Sequence, residues 1–134
     1  MGLTFRSIAQ YHADLHAGTV TCEEAVQHYL IAIAQQQHLN AYLRVYGEEA
    51  LDRARMLDYR RREGHPTGKL HGVVIGLKDV IAYKGHPLTA ASRILEGYVS
   101  IYSATVVDKL LEDLASISDL ERDLEIGVRL PERP

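Results

Sequence analysis

Gly68-Lys69-Leu70-His71-Gly72-Val73-Val74-Ile75-Gly76-Leu77-Lys78-Asp79-Val80-Ile81 is the stretch whose reading decides the fold. As a strand it points Val73, Ile75, Leu77 and Ile81 to one face and Val74 and Val80 to the other, because side chains alternate along a strand. Apolar residues on both faces predict a strand covered on both sides, as in α/β sheets. Lys78 falls on the second face and Asp79 on the first, toward the C-terminal end of the run, where open α/β sheets build their sites. A lysine in such surroundings is desolvated, paired or functional, since burying an unpaired ammonium is expensive. Burial also makes a lysine a better general base. The ordinary alternative is a lysine that reaches out along its stem and pairs with a nearby carboxylate. Lys78 is the candidate catalytic residue, and the strand pattern alone leaves both readings open.

Outward from this stretch, the turn cluster Gly64-His65-Pro66-Thr67-Gly68 delivers the chain into the strand. Before it, Gly47 to Glu63 predicts a helix with Ala50, Leu51, Ala54 and Leu57 on its buried side. Ala41 to Tyr46 alternates and is rich in strand formers, which predicts a strand. Thr21-Cys22-Glu23-Glu24 is a capping box opening a helix with Ala25, Val26, Tyr29, Leu30 and Ile33 at helical spacing. Thr4 is the expected cap of a first helix carrying Phe5, Ile8, His12 and Leu15, stopped by Gly18. Beyond the strand, Lys84-Gly85-His86-Pro87 turns the chain. Ser103 is the expected cap of a fourth helix with Val106, Val107, Leu110, Leu111 and Leu114.

The 134 residues suffice for one domain with a modest core. Apolar residues make up 46% and charged residues 25%, a globular composition, and the net charge of -3 gives no electrostatic case for nucleic acid or membrane. Cys22 is alone, so no intrachain disulfide is expected and a reducing compartment fits. The longest apolar run, Tyr29 to Ala34, cannot span a bilayer, and the N-terminus shows no signal-peptide pattern. A soluble cytoplasmic protein is the expectation.

The Leu70-His71-Gly72 to Lys78-Asp79 stretch resembles the lysine motif of the amidase signature family. Leu15-His16-Ala17-Gly18, Leu39-Asn40-Ala41-Tyr42, Thr89 to Leu95 and Tyr102 to Leu110 continue the resemblance in register. It implies an α/β fold: the N-terminal part of the family's α/β/α architecture, with helices packed on a fragment of a mixed sheet. It also implies Ser-cisSer-Lys amide chemistry, with Lys78 as the triad lysine and Asp79 its motif neighbour. Within the family the chain is most like the A subunits of tRNA-dependent amidotransferases. Those hydrolyse glutamine and supply ammonia for converting Glu-tRNA(Gln) to Gln-tRNA(Gln). The implied partners are amidotransferase B and C subunits. No cofactor is expected on this chain, because ATP and magnesium would serve the partner subunit's step.

Three departures qualify the resemblance. No Gly-Gly-Ser-Ser-Gly-Gly-like segment occurs, so both triad serines and the oxyanion amides are missing, and the chain alone is expected to be inactive. Ser92, Ser100 and Ser103 lie in regions matching other parts of the family and do not replace them. Val74 stands where the family usually has proline, which restores an N–H and frees φ. After Leu114 the resemblance stops. Residues 1–115 are thus expected to be an N-terminal amidase signature segment. Residues 116–134 are expected to be a divergent tail on a truncated gene, a short helix capped by Ser118 with Glu121 and then disorder, with Pro131 and Pro134 ending it. Two other classes stay open: a non-catalytic partner-binding or scaffolding module, and a fragment of a general amidase. Strand edges left without their usual neighbours predict homo-oligomers.

Other signals are weaker. His12 and His16 lie one helical turn apart, a zinc-ligand spacing, but no third ligand follows and no metal is assigned. Arg60-Arg61-Arg62 ends a helix, where cations complement the dipole, and is read as structural, not as an RNA contact.

Overall fold

Ser7 lies in extended backbone and its hydroxyl accepts the Gln10 N–H at 3.1 Å, which opens helix α1 (Ile8–Ala17) in the computed structural model. The structure describes residues 3–115 and 127–130. The cap is therefore Ser7 and not the expected Thr4, and the helix starts later. That shift turns Tyr11 and Leu15 inward and leaves Phe5 42% and Ile8 38% exposed. Gly18 closes α1 at φ 76, a left-handed conformation suited to glycine. Because the Ser7 hydroxyl satisfies an otherwise orphaned N–H, Ser7→Ala is expected to lower stability by about 1 kcal/mol, read by urea unfolding. A change within a few tenths would show that solvent replaces the cap.

Helix α2 (Cys22–Gln35) begins as the capping box predicts, with the Thr21 hydroxyl accepting the Glu24 N–H at 3.1 Å. Helix α3 (Gly47–Arg62) buries Ala50, Ala54, Leu57 and Asp58. The two alanines let α2 and α3 approach closely around Cys22, Ala25 and Val26, and Tyr11, Leu15 and Val20 close this first core. Between them the chain makes a 3-10 turn, Gln37–Leu39, and a left-handed residue, Asn40. The expected strand 41–46 contracts to β1 (Arg44–Val45), exposed at both positions.

The long strand expected over 68–81 is likewise short: β2 is Ile75–Lys78. Ahead of it, turn bonds from His71 N–H to the Gly68 carbonyl and from Val73 N–H to the Leu70 carbonyl hold the backbone out of a ladder. After it, the Ile81 N–H donates to the Lys78 carbonyl at 2.9 Å and ends the strand. β3 (Gly127–Leu130) pairs parallel with β2 and antiparallel with β1, in the order β1-β3-β2. The sheet is mixed, as expected. β3 lies in the segment where a short helix followed by disorder was expected. The rest of that expectation, including the Ser118 cap, concerns residues outside those described.

Helix α4 (Thr105–Ala115) packs Val107 and Leu111 against Leu77 and Tyr83 as a second core, while Val106 stays 49% exposed. Ser103 does not act as the expected cap: its hydroxyl accepts the Lys84 N–H at 3.0 Å and ties the helix entry to the turn after β2. Cover on both faces of β2 is not found among the described residues. Leu77 is buried, whereas Gly76, Lys78 and Val80 are exposed. Among the described residues, no helix is long and apolar enough to cross a membrane.

Candidate functional site

Lys78 is the last residue of β2 and projects from its open face, so of the two readings left by the strand pattern the outward lysine is the one found among the described residues. Its neighbour Asp79 points the other way and is 2% exposed. The Asp79 carboxylate accepts the Thr89 N–H at 3.2 Å and also the Thr89 hydroxyl, and the Asp79 carbonyl accepts the Ala90 N–H at 3.2 Å. Three hydrogen bonds thus pin residues 89–90 to the end of β2 and hold the strand so that Lys78 faces outward. The pinned turn carries two successive left-handed alanines, Ala90 at φ 48 and Ala91 at φ 58. Such backbone persists only where neighbouring contacts enforce it.

His86 fastens the next turn to α3. Its ring stacks on Tyr83 with centroids 3.7 Å apart and meets Tyr46 edge-on at 4.9 Å. One ring nitrogen faces the Lys84 carbonyl at 3.0 Å and the other the Glu49 carboxylate at 3.0 Å. Glu49 also pairs with Arg53 at 2.7 Å, and Arg53 donates to the Tyr83 hydroxyl at 2.7 Å. Both nitrogens of His86 are engaged, so the ring is a structural post and not a catalytic base.

A buried polar centre lies at the other end of the lysine motif. Asp58 on α3 accepts the N–H groups of Cys22 and Glu23 at 2.8 and 3.1 Å, capping α2 from another helix. Arg61 Nη2 donates to Asp58 Oδ1 at 2.9 Å, Nη1 lies 3.3 Å from His71 Nε2, and Nη1 also reaches Cys22 Sγ at 3.4 Å. A guanidinium only donates, so His71 Nε2 is an acceptor and the ring is neutral. Burial first, then the Arg61 and His12 charges, push His71 down to about 4. Burial and the Asp58 carboxylate push the Cys22 thiol up to about 12, which makes it an inert core residue. From α1, the Tyr11 hydroxyl donates to the Gly72 carbonyl at 2.8 Å and His12 Nε2 lies 2.9 Å from the His71 carbonyl.

This centre was missed in the sequence. Asp58 and Arg61 lie on an otherwise charged helix, and only their spacing of three residues hinted at a pair. Arg61 is structural, as read, but it turns inward to an ion pair as well as complementing a helix end. His12 is half-buried and His16 exposed. Among the described residues, no group of three or more His, Cys, Asp or Glu side chains is arranged to hold a metal.

The α/β arrangement, helices packed on a fragment of a mixed sheet, is that of amidase-signature enzymes. Superposition on the peptide amidase from Stenotrophomonas maltophilia gives a TM-score of 0.73 at 28% identity, covering 94% of this chain and 24% of that one. An amidase family protein from Bacillus anthracis shares the fold with a TM-score of 0.76 at 21% identity, over 93% of this chain and 24% of that one. The amidase family profile matches residues 24–117, and the chain belongs to that family. The glutamyl-tRNA(Gln) amidotransferase A subunit of Chlorobium phaeobacteroides is 45% identical over 120 residues, 89% of this chain and 25% of that protein. Its namesake in Chlorobaculum parvum is 37% identical over 111 residues, 83% of this chain and 23% of that protein. The chain spans about a quarter of the length of these curated relatives.

Proposed function

We propose that this chain supplies the lysine arm of an amide-cleaving site in an amidotransferase of the glutamine-hydrolysing kind. Lys78 is the general base that draws the proton from a bridging serine, which in turn activates a serine nucleophile. The observation that carries this reading is the presentation of Lys78 at the end of β2, on the open face, with Asp79 locked behind it. In this reading residues 1–115 are the amidase segment and 116–134 a divergent tail. The substrate amide is glutamine, and the released ammonia goes to a B subunit that modifies Glu-tRNA(Gln), with a C subunit in the assembly. ATP and magnesium serve the B subunit. Because the chain holds neither serine of the triad pattern, it is inactive by itself.

Two experiments test this. The purified chain mixed with glutamine or asparagine is expected to release no ammonia, and turnover abolished by Lys78→Ala would overturn the predicted inactivity. Residues 1–115, exchanged for the matching segment of the Chlorobium phaeobacteroides protein, are expected to support glutamine hydrolysis. In that chimaera Lys78→Ala should lower kcat by about a hundredfold or more, the usual contribution of a positioned base. An unchanged kcat in an active chimaera would remove Lys78 from the mechanism. The same substitution in the chain alone should change stability by no more than about 0.5 kcal/mol, because the side chain is exposed.

A second reading is favoured by one observation. An open groove of about 840 Å³ lies between the end of α2 and the sheet, lined by Tyr29, Ile33, Leu39, Tyr42, Val45 and Val74. Among the described residues, β1 and β2 are the outer strands and keep unpaired edges. A partner-binding module would self-associate through these surfaces, and a concentration-independent monomer in light scattering would count against it.

A further inference from the structure

We propose that His71 makes α1 an acid-released latch: protonation of its buried ring, against the Arg61 guanidinium, undoes the fastening of α1 to the His71–Gly72 turn. This device does not depend on the amide chemistry assigned to Lys78. His71 is 3% exposed, and the lone pair that would receive the proton is the one facing Arg61 Nη1 at 3.3 Å. Protonation therefore removes an accepted hydrogen bond and puts two cations in contact within the protein.

The charges facing the ring do not relieve that conflict. From α3 come Arg61, which opposes a second positive charge, and Asp58, which favours it. From α1, His12 and His16 oppose it. From α2, Cys22 stands beside Arg61 as a neutral thiol. Asp58 offers little help, because its oxygens already hold the Cys22 and Glu23 N–H groups and Arg61. The protonated ring leaves the interior and carries its own turn with it.

That turn bears both acceptors for α1: the His71 carbonyl facing His12 and the Gly72 carbonyl bonded to Tyr11. Among the described residues, what then holds α1 is chiefly the burial of Tyr11 and Leu15 and the contact of Tyr11 with Cys22. Helices α2 and α3, by contrast, share the alanine-lined core and the Asp58 cap. Releasing α1 widens an existing apolar cavity of about 300 Å³ lined by Phe5, Ile8, Tyr11, Tyr29, Val73 and Val74.

The sign follows from linkage. A histidine held below its ordinary value when closed binds its proton more readily when open. The latch is fully closed above the ordinary histidine range and loosens as pH falls toward about 4. Amide hydrogen exchange on the whole chain, corrected for intrinsic rates, reads this between about pH 7 and pH 4.5. Opening of residues 8–17 is expected to rise about tenfold per pH unit below about 6.5, with residues 105–113 unaffected. His71→Gln keeps an acceptor for Arg61 and should flatten the α1 response. If that variant does not fold, the ring signals of His71 in the unmodified chain decide, with a midpoint well below the ordinary value expected. A midpoint at or above about 6.5 overturns the proposal. So does α1 protection that ignores pH, or α1 and α4 losing protection in parallel, which would be global acid unfolding.

Discussion

Asp58→Ala is expected to lower the stability of the chain by about 3–5 kcal/mol, the range for breaking a buried ion pair from one side. Asp58 and Arg61 side chains are 5% and 10% exposed, so the guanidinium left behind has little access to water. The substitution also removes one of the two side-chain acceptors at the first turn of α2, freeing the Cys22 and Glu23 N–H groups at a helix end that favours negative charge while Thr21 still caps Glu24. Removing both charges should be milder, because the uncompensated cation is then absent. Asp58→Ala with Arg61→Met is accordingly expected to recover about half of the loss, leaving chiefly the cap. Urea unfolding of the two single variants and the pair closes this cycle. A loss below about 1 kcal/mol for Asp58→Ala would mean that water reaches Arg61 and that the centre does not hold the three helices together.

Gly72→Ala is the second large effect, expected at about 2–4 kcal/mol from two sources that can be separated. Gly72 sits at φ +70, where any other L-residue is strained. A Cβ there would also lie 2.5 Å from Cys22 Sγ and 3.0 Å from the Tyr11 hydroxyl. Cys22 is fully buried, so its sulfur has nowhere to retreat. Cys22→Ala should make room for the new methyl. The double variant should regain about 1–2 kcal/mol relative to simple additivity and keep the backbone penalty. Additive losses would show that the clash is absorbed elsewhere and that the left-handed backbone carries the whole effect. Either result bears on the lysine motif, because Gly72 is the turn from which the chain enters β2.

Helix positions were legible because their signals are local. The Thr21 capping box, Gly18 as a stop and the alanine-leucine face of α3 each rest on residues a turn or two apart. The family was legible in the Leu70 to Asp79 motif and its flanking segments, and the fold follows from it. Strand lengths were not legible. The run 68–81 is apolar enough for a long strand, but the turn at Gly72 and the Lys78–Ile81 bond confine the ladder to Ile75–Lys78. Thr4 and Ser103 were plausible caps by type, yet a cap is decided by which N–H its oxygen reaches.

By itself, the amino-acid sequence determined the amidase family, the mixed α/β character, the four α-helices found among the described residues and Lys78 as the residue to watch. Those properties depend on patterns that neighbours in the chain carry. Only the tertiary structure decided the surroundings of each charge. Lys78 is exposed where the strand pattern left both a covered and an outward lysine open, and Arg61 is drawn inside from the last turn of a charged helix. The physical reason is that burial is a sum over contacts from distant segments. Asp58 meets the start of α2 and Asp79 meets Thr89 only after the chain has folded back, and no local periodicity encodes those meetings.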